Sequence, residues 1–363
     1  MNFIDEFRDK NTILAFNELI KKELKAPINI MEICGGHTHS IMKYALPSIL
    51  PKGINFVHGP GCPVCVMPRK RIDMAIKLAA MPNTIFCTLG DLLRVPGSKF
   101  SLLELRAKGC DVRALYSPLE VLKIAEQNQD KNIIFFAIGF ETTTPMTALL
   151  LEKVINLGLE NVFFHINHIT VPAPIHAIMN DENVKIDAFL GPSHVSVITG
   201  WGIYEDIARL YKTPIAVSGF EPVDIMQSVL NIVRQKNEGK FEVFNQYQRA
   251  VSKEGNLKAQ ELVKCYFDEC DFEFRGLGEI KKSGLRLKDE FARYNAELKF
   301  DCEVESKNES KACICGQILR GVAKPYDCKV FGKACTPKTP IGSCMVSGEG
   351  ACAAYYKYSK VNE

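Results

Sequence analysis

From residue 28 onward, apolar residues come in short blocks, each closed by Gly, Pro, His or Ser, that recur every 21–30 residues. The blocks are INIMEIC (28–34), INFVHGPG (54–61), TIFCTLGD (84–91), DVRALYS (111–117), NIIFFAIGFE (132–141), NVFFHINHI (161–169), IDAFLGPSH (186–194) and TPIAVSGFE (213–221). They are strand-length and rich in Ile, Val and Phe. Between them lie stretches of helical period, as at 71–80, 118–127 and 145–157. Such alternation predicts βαβ units and parallel sheet, buried on both faces.

Eight units could close into one barrel or divide four and four into two open, Rossmann-like sheets. Gly-Phe-Glu recurs at 139–141 and 219–221 and favours two sheets, as related halves joined near residue 120. The expected organisation is therefore an α/β domain at 27–118, a second of similar topology at 119–222, and a third, mainly helical domain at 223–363. After residue 221 the pattern predicts an amphipathic helix at 222–235, a turn at 235–240 and helix to about 264. More helical pattern follows at 288–296, then a polar loop at 300–312 and a cysteine-dense tail. A helix at 4–24 is expected to pack on this third domain.

In either arrangement ligands bind at the carboxyl ends of the parallel strands. Every unusual motif falls there: CGGHTH (34–39) after strand one, GPGCPVC (59–65) after strand two, GFETTTP (139–145), NHI (167–169) and GPSHVS (191–196) after strands five, six and seven. Packing alone would spread polar residues over both ends.

Composition narrows the chemistry. With 363 residues, 47% hydrophobic and 24% charged, the chain is an ordinary globular one, and a net charge of +3 points to neither nucleic acid nor an anionic membrane surface. The N-terminal stretch lacks a signal-peptide core, and the longest apolar run, 133–140, is far too short to span a bilayer, so a cytoplasmic protein is expected. Fourteen cysteines in a reducing compartment point to metal or redox chemistry rather than disulfides. Nine of them lie from Cys265 onward, whereas all seven histidines fall between His37 and His194.

Cys62 and Cys65 form a C-x-x-C pair opening a helix, where the helix dipole favours thiolate; the pair suits a reversible disulfide or one metal ion, against the plainer alternative of two buried small residues. Cys34, His37 and His39 offer thiolate and imidazole to iron or zinc, or a base that activates the thiol, or only a tight Gly35-Gly36 turn with capping histidines. Thr142, Thr143 and Thr144 precede Pro145 at a helix start and suit an anion, or simple capping. His165, His168 and His194 end later strands, where a lone histidine is more often a hydrogen-bonded core or cap residue. In the tail, Cys313, Cys315, Cys328, Cys335, Cys344 and Cys352 have long irregular spacers and no nearby His, which suits an iron–sulfur cluster better than zinc knuckles.

Together EICGGHTH (32–39), GPGCPVC, GFETTTP, GPSHVS, CGQILRG (315–321), CKVFGKACTP (328–337) and MVSGEGACAAYYKY (345–358) resemble the HypD family of [NiFe]-hydrogenase maturation proteins. The resemblance spans nearly the whole chain. It implies two similar α/β domains and a third holding a [4Fe-4S] cluster. The implied role is a scaffold for assembling the Fe(CN)2CO group, with cluster and C-x-x-C thiols supplying electrons. Implied partners are the small chaperone HypC, which shares the iron, and HypE, which donates cyanide, around a monomer in a heteromeric complex. Cys34 matches the iron anchor, with His37 beside it, and Cys62 and Cys65 match a redox-active pair. Cys315, Cys328, Cys335 and Cys352 match the cluster ligands, with Cys313 and Cys344 as substitutes. Glu141 joins the catalytic set, and Thr142, Thr143 and Glu349 the cofactor-binding one. One position departs: the family's Ser-Ser-Glu-Gly is Ser347-Gly348-Glu349-Gly350 here. The competing readings are an iron–sulfur, thiol-dependent oxidoreductase acting on a small substrate through Cys62 and Cys65, and a zinc-stabilised interaction protein.

Overall fold

The computed structural model describes residues 5–305 and 310–359. All eight blocks are strands: β1 Ile28–Glu32, β2 Ile54–His58, β3 Thr84–Leu89, β4 Asp111–Leu115, β5 Asn132–Gly139, β6 Val162–His168, β7 Ala188–Pro192 and β8 Ile215–Ser218. A short β9, Val243–Asn245, and an antiparallel hairpin, β10 Phe267–Phe274 with β11 Gly278–Leu287, follow. The parallel strands form two sheets, in the orders β2-β1-β7-β8-β9 and β4-β3-β5-β6.

The eight strands thus divide four and four, but not at residue 120. The chain leaves the first sheet after β2, builds β3 to β6 as one excursion, and returns at β7 to pair with the free edge of β1, Ile30 opposite Ala188. Apolar periodicity marks a segment as a doubly buried strand without saying which edge receives it, so the consecutive division was a natural but incorrect inference. The two Gly-Phe-Glu stretches end β5 and β8, one in each sheet. β5 shows why the blocks were legible: Ile133 to Phe140 are buried throughout, with helices covering both faces.

The helices Arg69–Ala79, Glu120–Gln127 and Thr144–Asn156 lie where expected. Pro222–Glu238 runs past the predicted end at 235 and stops at Gly239, whose φ of 66° is the left-handed cap that glycine adopts without cost. Beyond it the expected helix to about 264 is replaced by β9, the helix Leu257–Tyr266 and the hairpin. In FDECDFEF (267–274) the buried positions are Phe267, Phe272 and Phe274, with charged residues on the outer face. One half-buried hairpin in a charged context carries too weak a period-2 signal to stand out. Residues 289–294 form a 3-10 turn rather than an α-helix.

The N-terminal helix, Lys10–Glu23, packs on Pro222–Glu238 beside the first sheet, where Arg234 grips the Glu23 carboxylate through two 2.8 Å hydrogen bonds. Position 4 and residues 306–309 of the predicted loop lie outside the described residues. No helix among the described residues is long and apolar enough to cross a membrane.

Candidate metal-binding cleft and thiol chain

The carboxyl ends of both sheets open onto one cavity of about 600 Å³. Ile33 and Cys34 reach it from β1, Gly61 and Pro63 from beyond β2, Gly90 and Asp91 from β3, Thr142 and Thr143 from β5, and His194 from β7. The tail closes one side with Ser347, Gly348 and Glu349. The excursion of the chain is what brings these strand ends together.

Cys34 is the N-cap residue of the helix Gly35–Lys43, and its side chain makes no capping bond. Gly35 and Gly36 are therefore the first turn of a helix, not a tight turn. Their missing side chains serve close approach. A Cβ on Gly35 would lie 2.5 Å from the Glu349 carbonyl oxygen, and one on Gly36 would lie 2.7 Å from the Phe220 ring. Gly61 is equally constrained, since a Cβ there would stand 2.2 Å from the Cys34 nitrogen. Burial, with Glu349 adding a negative neighbour, pushes the Cys34 thiol up to about 12. At neutral pH it rests protonated, and a metal cation at the sulfur would displace the proton.

His37 is fully buried. Its Nε2 donates to the carbonyls of Ser218 and Gly219, at 3.0 and 3.2 Å, so the proton sits there and Nδ1 carries an unshared pair with no partner. Burial lowers its pKa to about 4, which keeps the ring neutral. Its ring and that of cleft-lining His194 both pack against Phe220, at 4.7 and 4.5 Å. His39 faces the tail: Nδ1 donates to the Gly348 carbonyl at 3.3 Å, and Nε2 lies 3.0 Å from the Tyr358 hydroxyl. His165 and His168 are buried away from the cavity lining. His165 bonds to Glu297 at 2.9 Å inside an Arg71–Glu297 ion pair, and His168 to Thr147 at 2.8 Å. Both fit the core role that is commoner for a lone histidine.

Cys62 caps a single helical turn, Pro63–Val66, and Cys65 lies within it. The expected lowering of thiolate pKa by the helix dipole does not hold for Cys65: burial, aided by neighbouring thiols, pushes it well up. One turn carries too little dipole to offset full desolvation. Cys62 Sγ accepts from the Cys65 N–H at 3.3 Å. From Cys65 the thiols continue inward. Cys344 lies within hydrogen-bond reach of both Cys65 and Cys315, whose S–H donors hold it below the usual thiol range, and Cys352 also meets Cys315. Cys313 Sγ is 3.2 Å from Cys315 Sγ, and a Cβ on Gly342 would sit 2.6 Å from both sulfurs. Cys335 Sγ accepts from the Ile341 N–H at 3.3 Å, and Cys328 Sγ faces the Ala312 carbonyl. Among the described residues no three His, Cys, Asp or Glu side chains already form a metal cage.

In the GFETTTP loop the hydroxyl of Thr143 turns inward to the carbonyls of Ile138 and Phe140, and Thr144 also bonds Phe140. Gly139, at φ 146°, leaves the space that Thr143 Oγ1 fills. Glu141 lies behind the cavity: Oε1 accepts from the Val171 N–H at 3.0 Å, while Oε2 is buried without a partner. Burial pushes its carboxyl up to about 7. A proton bound more tightly in the folded state stabilises it fully below about pH 4.5, and that stability is lost as pH rises through about 7. The loss amounts to about 3 kcal/mol. Urea unfolding between these pH values should show the decline, and Glu141→Gln should flatten it; an unchanged slope in the variant would assign the decline elsewhere. Glu349 is likewise raised by burial and by the nearby Asp91. A Cβ on Gly348 would meet nothing within 4 Å, so a serine would have room at this position.

Sequence reasoning missed Asp91, Phe220 and the central place of Cys344. Asp91 closes a strand block as the other site residues do, Phe220 lies within the repeated Gly-Phe-Glu, and nothing in the spacing of Cys344 sets it above the other tail cysteines.

The chain matches a family model, HypD, described as the hydrogenase formation hypA family, over residues 11–359. It is 50% identical to the hydrogenase maturation factor HypD of Azotobacter vinelandii, covering 99% of this chain and 97% of that one. It is 49% identical to HypD2 of Bradyrhizobium diazoefficiens over 100% and 98%, and 42% identical to HypD of Escherichia coli over 99% and 98%.

Proposed function

Because the chain belongs to the HypD family of hydrogenase maturation factors, we propose that it is the scaffold on which the Fe(CN)2CO group of the [NiFe]-hydrogenase active site is assembled. The observation that carries this is the position of Cys34, a soft thiol at the wall of a cavity built from both sheets and the tail. Low-spin iron with cyanide and CO suits such an anchor. The iron is cargo, received at Cys34 and passed on. Asp91 and Glu349 give the cavity acidic groups for an incoming cation, while Thr142 and His194 offer polar contacts at its rim.

The tail suits a [4Fe-4S] cluster in its donors: they are all thiols, and the sulfurs of Cys313 and Cys315 share the space left by Gly342. Cys315, Cys328, Cys335 and Cys352 are the proposed ligands, with Cys313 and Cys344 placed to substitute. When bound, such a cluster supplies single electrons. Cys62, Cys65, Cys344 and Cys315 form a continuous line of thiol neighbours between the cleft side and the tail, which supports an electron route along it. HypC, sharing the iron, and HypE, donating cyanide, are the proposed partners at the open cavity, in the cytoplasm.

An oxidoreductase acting on a small substrate is less well supported, since Cys62 and Cys65 are only 4% and 0% exposed. Metal analysis separates the readings. Iron with acid-labile sulfide, and no turnover of a small disulfide by the isolated protein, is the expected result. Zinc without sulfide, or rapid disulfide turnover, would overturn it.

A further inference from the structure

β1 ends by placing a carboxylate, Glu32, inside the protein at 1% exposure. Its Oε1 accepts from the Thr38 hydroxyl and from Nδ1 of His58 at 2.5 Å. The other ring nitrogen of His58 lies 3.0 Å from the hydroxyl of Tyr355, whose ring stands edge-on to the imidazole. His58 therefore bridges the two, with Nδ1 on the Glu32 carboxyl and Nε2 on the Tyr355 hydroxyl. Glu32 Oε2 is buried without a partner, so the carboxyl is held through Thr38, His58 and the Cys34 backbone, and His58 is the one of these that carries it on to the C-terminal helix.

Each member belongs to a different cysteine-bearing segment. Glu32 precedes Cys34 by two residues, and Thr38 lies in the helix that Cys34 caps. His58 ends β2, four residues before Cys62. Tyr355 lies one turn beyond Cys352 in the helix Ala351–Tyr358. A buried carboxyl that loses a hydrogen-bond partner is strongly disfavoured, so the segments that supply its partners are held to one mutual register.

We propose that Glu32, His58 and Tyr355 are positioning residues, a buried hydrogen-bonded line that sets the Cys34 loop against both the C-P-V-C loop and the C-terminal helix. The purpose of this line rests on Cys34 being the iron anchor; its existence and its test require no metal. It makes the reactivity of Cys34 depend on a tyrosine more than 300 residues further along the chain.

The test is a double-mutant cycle on the full chain with Tyr355→Phe, His58→Gln and both together. Iodoacetamide labelling of Cys34 is read in the tryptic peptide of residues 26–43, which contains no other cysteine. Each single variant should label Cys34 about threefold faster or more, and the double variant no faster than the quicker single one, because the same line is broken. Melting temperatures should stay within about 5 °C of the parent. Labelling at the parent rate in Tyr355→Phe, or effects that multiply in the double variant, would overturn the proposal. Should Tyr355→Phe not fold, Thr38→Val with His58→Gln closes an equivalent cycle around Glu32. The expected rates together with failed iron assembly would count against the scaffold function and leave this line standing.

Discussion

Replacing Cys34 by alanine is expected to reduce hydrogenase maturation in cells by more than about a hundredfold while leaving the protein folded. The magnitude follows from its proposed role as anchor: loss of a group that merely supports a metal ligand already costs 10–100-fold, and loss of the ligand itself costs more. The selectivity follows from structure. Cys34 makes no capping bond, and it is only partly buried at a cavity wall. Removing its sulfur should therefore change stability by about 0.5–1 kcal/mol at most. Hydrogenase activity in a strain carrying the variant, beside its melting curve, checks both halves. Normal maturation would remove Cys34 from the chemistry, and a collapsed melting curve would make it a structural residue.

The second large effect is expected at Cys62 and Cys65. Alanine at either position should end maturation while the absorbance of the proposed tail cluster stays intact. As a dithiol the pair can release two electrons and two protons as an S–S bond forms, and neither residue alone can do so. Cys65 also stands next to Cys344, so its loss interrupts the line of thiols at its middle. The proposed cluster ligands, with Cys315 beside Gly342, lie on the tail side of that break. Visible absorbance of the reconstituted variants, compared with maturation in cells, checks this. Maturation at the parent level would exclude the relay, and lost absorbance would show that the pair supports the cluster's own site.

The sequence made the strands legible because each is buried on both faces and so reads as an unbroken apolar block; β5 is the plainest case. Which sheet each strand joins was not legible, since the pairing of β1 with β7 joins segments about 158 residues apart and leaves no local trace. The hairpin was hidden for a different reason: only three residues of Phe267–Phe274 are buried, and charged neighbours dilute the alternation. Motif position at strand ends pointed to Cys34, Thr142, Thr143 and His194, which line one cavity. The same logic did not separate His37, whose ring is turned into the core, from His194, which faces the cleft. Spacing also could not rank the tail cysteines, because Cys344 owes its central place to contacts with Cys65 and Cys315 that only folding creates. Glu32 and His58 did leave a trace, as ionisable residues closing otherwise apolar strands immediately before the two cysteine motifs.

The central claim, that iron carrying diatomic ligands is held at Cys34, is tested most directly by infrared spectroscopy of the chain purified with the small chaperone HypC. The predicted result is a set of bands from metal-bound cyanide and CO in the complex, absent when Cys34→Ala replaces the parent chain. Iron-containing complex without those bands, or bands that persist in Cys34→Ala, would contradict it.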